Sequence, residues 1–162
     1  MKRKNVCLTM SLLIIIALQM SSCNKATVFV GTYDGVTTTS GTLRAKIEGY
    51  MDTREEIPAE TKTVRFVISK GDGKNKILLK QVAGDEDEHF EAIGTVSKKT
   101  VTFLPFKLPY KYGEIVVDVD VSDMKAELDK NTLTYSYSYG YSQVLPGVSV
   151  NISMHANGSA VK

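Results

Sequence analysis

An all-β fold is predicted for this chain of 162 residues: an antiparallel β-barrel of about eight or nine strands, with a β-sandwich as the alternative. Two observations carry that prediction. From Thr27 to the C-terminus apolar and polar residues alternate with a period near two, and a period of 3.6 is almost absent. Gly, Pro, Asp and Asn break these runs into short segments joined by turns rather than by helices.

The strands read, in order, as Thr27 to Tyr33, Thr42 to Tyr50, Thr61 to Ser69, Lys76 to Val82, His89 to Val96, Thr100 to Phe103, Glu114 to Val121, Thr132 to Gly140 and Val148 to Ala156. Between the third and fourth, Lys70-Gly71-Asp72-Gly73-Lys74-Asn75 supplies residues that tolerate positive φ, which a chain reversal requires. Asp129-Lys130-Asn131 and Leu145-Pro146-Gly147 are turns of the same kind. Ser122 to Leu128 is the one helix candidate, capped by Ser122 or Asp123, with a long turn as its alternative. Phe103 to Tyr112 is apolar and aromatic, but Pro105 and Pro109 cannot donate ladder hydrogen bonds, so it reads as an extended connection. It would serve either as a lid beside a ligand or as a plug sealing the core.

Ahead of this region lies a secretory signal. Lys2, Arg3 and Lys4 form a positive start, Val6 to Met20 is mostly apolar, and Ser21 and Ser22 stand immediately before Cys23. A membrane-spanning helix needs about 20 apolar residues, more than this segment offers. Met20-Ser21-Ser22-Cys23 resembles the cleavage box of Bacteroides-type bacterial lipoproteins. That resemblance implies removal of residues 1–22, lipid attachment at Cys23 and anchoring in the bacterial outer membrane. Residues 23–30 would be a short tether, and 31–162 a single barrel domain. Surface-exported lipoproteins of this type often carry acidic residues just after the cysteine. Here Asn24 and Lys25 follow it, so the resemblance implies the periplasmic face.

Cleavage would also change the chemistry of the chain. Cys7 would be lost with the signal, and Cys23 would be acylated, so the mature chain would form no disulfide and would depend on its own core. The whole chain has 20 basic and 18 acidic residues; losing Lys2, Arg3 and Lys4 leaves 17 against 18, a net charge of −1. A near-neutral domain lacks the basic face that nucleic-acid binding requires, and no nucleic-acid partner is expected.

Gly31-Thr32-Tyr33-Asp34-Gly35 opens the first strand, and strands continue to the C-terminus. This arrangement is similar to lipocalin-like or calycin-like domains, although their usual Trp near the first glycine is missing. The resemblance implies a barrel that encloses a small apolar or amphipathic ligand.

Tyr135, Tyr137 and Tyr139 alternate with Ser136 and Ser138, so in a strand the three rings share one face. They are the candidate ligand-binding residues, with core packing as the alternative role. Gly140 is expected to end or bend that strand before Tyr141. Asp118 and Asp120 alternate with Val117, Val119 and Val121, a half-buried strand with its carboxylates outward. Read instead as a calcium loop, Asp118-x-Asp120-x-Ser122 lacks the glycine and the glutamate that such a loop needs. Gly84 to His89 is a charged turn.

No metal site and no cofactor are expected. His89 and His155 are the only histidines, and no nucleophile elbow or zinc-binding motif occurs. The sequence therefore predicts a non-catalytic binding module anchored to the membrane at Cys23. The alternative is an interaction protein whose filled barrel docks another envelope protein.

Overall fold

A computed structural model describes residues 25–83, 89–112 and 115–162. Cys23 and the charged turn over 84–88 lie outside the described residues. Ten strands form one antiparallel sheet: β1 (Gly31–Ile47), β2 (Met51–Lys70), β3 (Lys76–Ala83), β4 (Glu91–Ser97), β5 (Thr100–Phe103), β6 (Phe106–Tyr112), β7 (Ile115–Val121), β8 (Lys125–Asp129), β9 (Thr132–Leu145) and β10 (Val148–Val161). Their order is β10-β1-β2-β3-β4-β5-β8-β9-β7-β6, and a further β9–β10 pairing closes eight of them into a barrel-like ring. The all-β antiparallel fold is the predicted one.

The predicted turns fall into place. In the β2–β3 hairpin Gly73 and Asn75 have φ of 113° and 60°, the region that favours glycine and asparagine. Two-residue turns at Lys130-Asn131 and Pro146-Gly147 join β8 to β9 and β9 to β10, with Asp129 opposite Thr132 and Leu145 opposite Val148.

Several expectations need correction. The tether expected over 23–30 is folded from Lys25 onward. Lys25–Phe29 is a 3-10 turn that buries Ala26 and Phe29 completely, and the Tyr33 hydroxyl donates to the Phe29 carbonyl at 2.9 Å. This turn plugs one end of the ring.

The two strands expected over Thr27–Tyr33 and Thr42–Tyr50 are replaced by a single strand, β1. Its glycines serve close approach rather than reversal: a side chain at Gly35 or Gly41 would collide with the Ser159 or Ser153 carbonyl of β10. Ser122–Leu128 is not a helix. Its second half is β8, in which Ala126 and Leu128 point inward while Lys125, Glu127 and Asp129 point outward. Phe106–Tyr112 is a true strand despite Pro109, because β6 is the last strand of the sheet and pairs on one side only. Nor does Gly140 end β9, which runs on to Leu145.

The core fills the ring from the plugged end upward. Tyr33, Phe66, Ile68, Ile77, Leu79 and Leu133 are all at most 2% exposed. Aromatic rings continue this packing: Phe66 meets Tyr135 edge-on at 5.0 Å, and Phe90 stacks on Phe106 at 4.8 Å.

Two features stand apart from the ring. The β6–β7 hairpin is held to β9 through two register pairs, Asp120 with Gly140 and Val121 with Tyr139. It brings Leu108 and Tyr110 of β6 and Ile57 and Pro58 of β2 together around one cavity, so it lies across the end opposite the plug. The second feature is an extension. Beyond the stretches paired with β3, β8 and β7, the strands β2, β1, β10 and β9 continue together as a four-stranded sheet. It ends at the turns over 48–50 and 146–147.

Candidate functional site

The tyrosine strand is where the sequence points for a site. In β9 the three rings do share the inward face, and all are buried. They nevertheless occupy different surroundings. Tyr135 is part of the solid core. Its hydroxyl pairs with the Thr37 hydroxyl and donates to the Val36 carbonyl at 3.1 Å, and burial pushes its phenol up to about 12. Opposite it on β10, Gly158 has no room for a side chain, since a methyl there would strike the Tyr135 ring and the Val36 carbonyl. Tyr135 is therefore a core pillar.

Tyr137 and Tyr139 lie one and two steps nearer the hairpin. Tyr137 approaches Phe90 at 6.3 Å and Tyr139 at 5.9 Å, and Tyr110 of β6 meets Tyr139 at 5.8 Å. Between the hairpin and the ring are two neighbouring spaces, both lined by Tyr110, Tyr139 and Met154. One, of about 100 Å³, reaches down to Thr37, Gln81, Glu60 and Lys62. The other, of about 200 Å³, is bounded by Val117 and Val119 of β7 and by Tyr139, Tyr141, Ile152 and Met154. Its few polar groups include Gln143, whose Oε1 accepts from the Tyr141 hydroxyl at 3.1 Å. An aromatic and aliphatic cleft with a few polar atoms is the usual make-up of a small-molecule site.

Both spaces are smaller than the roughly 300 Å³ from which ordinary ligand pockets start. The ring itself is filled by side chains, as in other barrels of about eight strands. The cleft thus lies at the mouth of the ring. Of its second wall, sequence reasoning read β7 as a strand and Phe103–Tyr112 as a connection serving as lid or plug, but Pro105 and Pro109 concealed that β6, which supplies Leu108 and Tyr110, is a strand.

The remaining candidates are elsewhere. Asp118 and Asp120 are exposed on β7, opposite Pro109 and Lys107; Lys107 Nζ lies 2.6 Å from Asp120. Asp120 is ion-paired on an ordinary exposed strand face, and Asp118 lies beside it. His89 is exposed, as is His155 on the outer side of β10, where its Nδ1 lies 3.3 Å from the Ser138 hydroxyl. The nearby Asp123 carboxylate accepts from the Ser138 backbone amide at 2.8 Å rather than orienting the imidazole. A serine and a histidine on a convex sheet, without an orienting acid, do not make a nucleophile. Among the described residues no cluster of three or more His, Cys, Asp or Glu side chains could hold a metal ion. Likewise, no helix among them is long and apolar enough to cross a membrane.

No protein-family model matches the chain, and no curated protein matches it. Among solved structures, the chain is similar to the crystal structure of ywiB protein from Bacillus subtilis at 15% identity and a TM-score of 0.25. The match covers 77% of this chain and 92% of that one.

Proposed function

We propose that the mature chain is a lipid-anchored protein of the bacterial outer membrane, on its periplasmic face, that works by binding and not by catalysis. Its ligand is a small apolar or amphipathic molecule. The observation that carries this reading is the cleft of about 200 Å³ between the β6–β7 hairpin and the tyrosine face of β9. Tyr139, Tyr141, Val117 and Ile152 supply apolar contact there, while the Tyr141 hydroxyl and Gln143 supply polar anchors. The lipid anchor rests on the signal and on Cys23. The finer likeness to lipocalin-like domains belongs to the same reading, with the ligand at the mouth of the barrel rather than inside it.

The direct test is mass spectrometry of small molecules that co-purify with the natively expressed protein. A defined species that disappears in Tyr139→Ala supports the cleft, and its retention in that variant overturns it. Incorporation of labelled palmitate into the wild type but not into Cys23→Ser tests the anchor, and protease shaving of whole cells tests its orientation. The filled ring favours a second reading, in which the domain docks another envelope protein through its outer surface.

A further inference from the structure

Charged side chains are segregated along the axis of the ring, and the turns beside the plug are rich in lysine. The β2–β3 turn carries Lys70, Lys74 and Lys76, the β4–β5 turn Lys98 and Lys99, and the β8–β9 turn Lys130. Lys25 begins the plug. Lys162, directly after β10, donates from Nζ to the Val30 carbonyl at 2.5 Å, which holds its charge beside the plug. Asp72 and Asp129 oppose them, the latter 3.1 Å from Lys99 Nζ. Eight lysines against two aspartates give this end a side-chain charge of +6. Among the described residues, the turns at the opposite end hold Glu48 and Asp123 and no lysine or arginine. The near-neutral total of the chain therefore conceals a strongly basic end, and lysines gathered on one surface attract a polyanionic partner.

We propose that this end sits on the anionic headgroups of the membrane, so that the barrel stands upright with its cleft turned away from the bilayer. Its place beside the anchor selects lipid over other polyanions. Cys23 lies two residues before Lys25, a stretch of at most about 7 Å. The plug that follows is fixed by the complete burial of Ala26 and Phe29. A lipid on Cys23 thus brings the lysines to within about one screening length of the headgroups, about 8 Å at physiological salt. Each lysine so placed strengthens attraction to an anionic surface about fivefold. Val28, 58% exposed on the plug, adds an apolar contact suited to the headgroup boundary and not to a nucleic acid. The presence of a membrane at this end rests on the lipid-anchor reading, whereas the affinity for anionic headgroups follows from the fold alone.

This orientation also fixes the route of the ligand. The stretch of β9 from Thr132 to Tyr139 raises the cleft roughly 20 Å above the plugged end. The cleft therefore faces the aqueous side, and its ligand enters from solution and not sideways out of the bilayer.

The test reconstitutes the natively expressed protein into vesicles of phosphatidylcholine, alone or mixed with phosphatidylglycerol, that carry spin-labelled headgroups. A fluorophore is attached at Asn131→Cys in the β8–β9 turn or at Tyr50→Cys at the opposite end, both exposed positions. The expected result is quenching at Asn131 that requires phosphatidylglycerol. Raising the salt from about 0.1 M to about 1 M, which cuts the screening length from about 10 to about 3 Å, should relieve it. The probe at Tyr50 should stay unquenched in both lipids. Lys74→Glu with Lys98→Glu should abolish the quenching at an unchanged urea midpoint, while Lys46→Glu with Arg54→Glu, an equal charge change in the extension, should leave it intact. Should the first pair fail to fold, the salt response of the wild-type charges carries the test. Quenching at Asn131 that is absent, equal in the two lipids or insensitive to salt overturns the proposal, and where Cys23 carries palmitate it leaves the anchor standing. Binding of a duplex DNA fragment without any response to phosphatidylglycerol overturns it as well. If Cys23 takes up no labelled palmitate, the anchor reading fails. The wild-type protein should then still sediment with phosphatidylglycerol vesicles and be released by salt, and its failure to do so refutes the proposal separately.

Discussion

The lower and upper halves of β1, β2, β9 and β10 pair with one another in the same order and alternate in the same way, yet they lie in different environments. In the lower half the inward face meets other side chains across the ring: Tyr33, Phe66, Leu133 and Ala160 are almost fully covered. In the upper half the same face continues through Leu43, Val150 and Leu145, and among the described residues it is the β6–β7 hairpin that lies over its base. What separates the halves is the company of β3, β4, β5 and β8, which close the ring around the lower half only. Alternation thus specifies which side of a strand is apolar, and topology decides whether that side becomes core or surface.

Substitutions should separate the two halves sharply. Phe66→Ala removes a ring packed against Tyr135 and Phe90 and should cost roughly 3 to 5 kcal/mol, read as a fall in the urea midpoint at constant slope. A loss of less than about 1 kcal/mol would mean that the lower half is not the rigid core described above.

Tyr135→Phe tests the boundary between the halves. It leaves Thr37 without its hydroxyl partner and should cost about 1 to 3 kcal/mol. It also carries a pH signature. The wild-type phenol is raised from 10.0 to about 12 by burial, so the neutral form is favoured in the folded state. The corresponding stability is fully present below pH 10 and is lost as pH rises through about 12, a change of about 3 kcal/mol. Stability measured across that window should fall more steeply in the wild type than in Tyr135→Phe, which keeps only the smaller loss from the buried phenol of Tyr33, also raised by burial.

Hydrogen exchange should place the β6–β7 hairpin between the two extremes. Its amides are tied to the rest of the sheet by two register pairs, so they should exchange through local opening, well before those of β3 and β4. Equal protection in both would show that the hairpin is an integral part of the core. The smallest effect is expected for Val148→Ala in the extension, under about 1 kcal/mol by the same urea measurement, since that side chain is already 39% exposed.

The sequence reading succeeded where alternation and turn chemistry agreed. Thr100–Phe103 was read with its observed bounds, and the hairpin around Gly71 to Asn75 and the shared face of Tyr135, Tyr137 and Tyr139 followed from the same rules. It failed where one local signal masked another. Met124, Ala126 and Leu128 alternate as a strand should, but Lys, Ala, Glu and Leu are also good helix formers, and propensity concealed the period. Gly35 and Gly41 resemble turn residues until β10 is known to run against them, a contact spanning more than a hundred residues. Pro109 argues against a strand only if the strand is central, and β6 is an edge. For the candidate site, one wall was visible in the tyrosine run. The other depends on how a distant hairpin folds across the mouth, which no local pattern encodes.

The pairing of β1 with β10 has a further consequence, for the order of events when the chain is made. β1 is synthesised about a hundred residues before β10, but one of its edges is satisfied only by residues 148–161. At about 5 to 20 residues per second, several seconds pass between the two. Through that interval a strand of 17 residues holds an open row of backbone donors and acceptors. The ring therefore cannot close until residues 148–161 have been made. A growing chain of this topology has to be kept extended, or shielded, until β10 arrives.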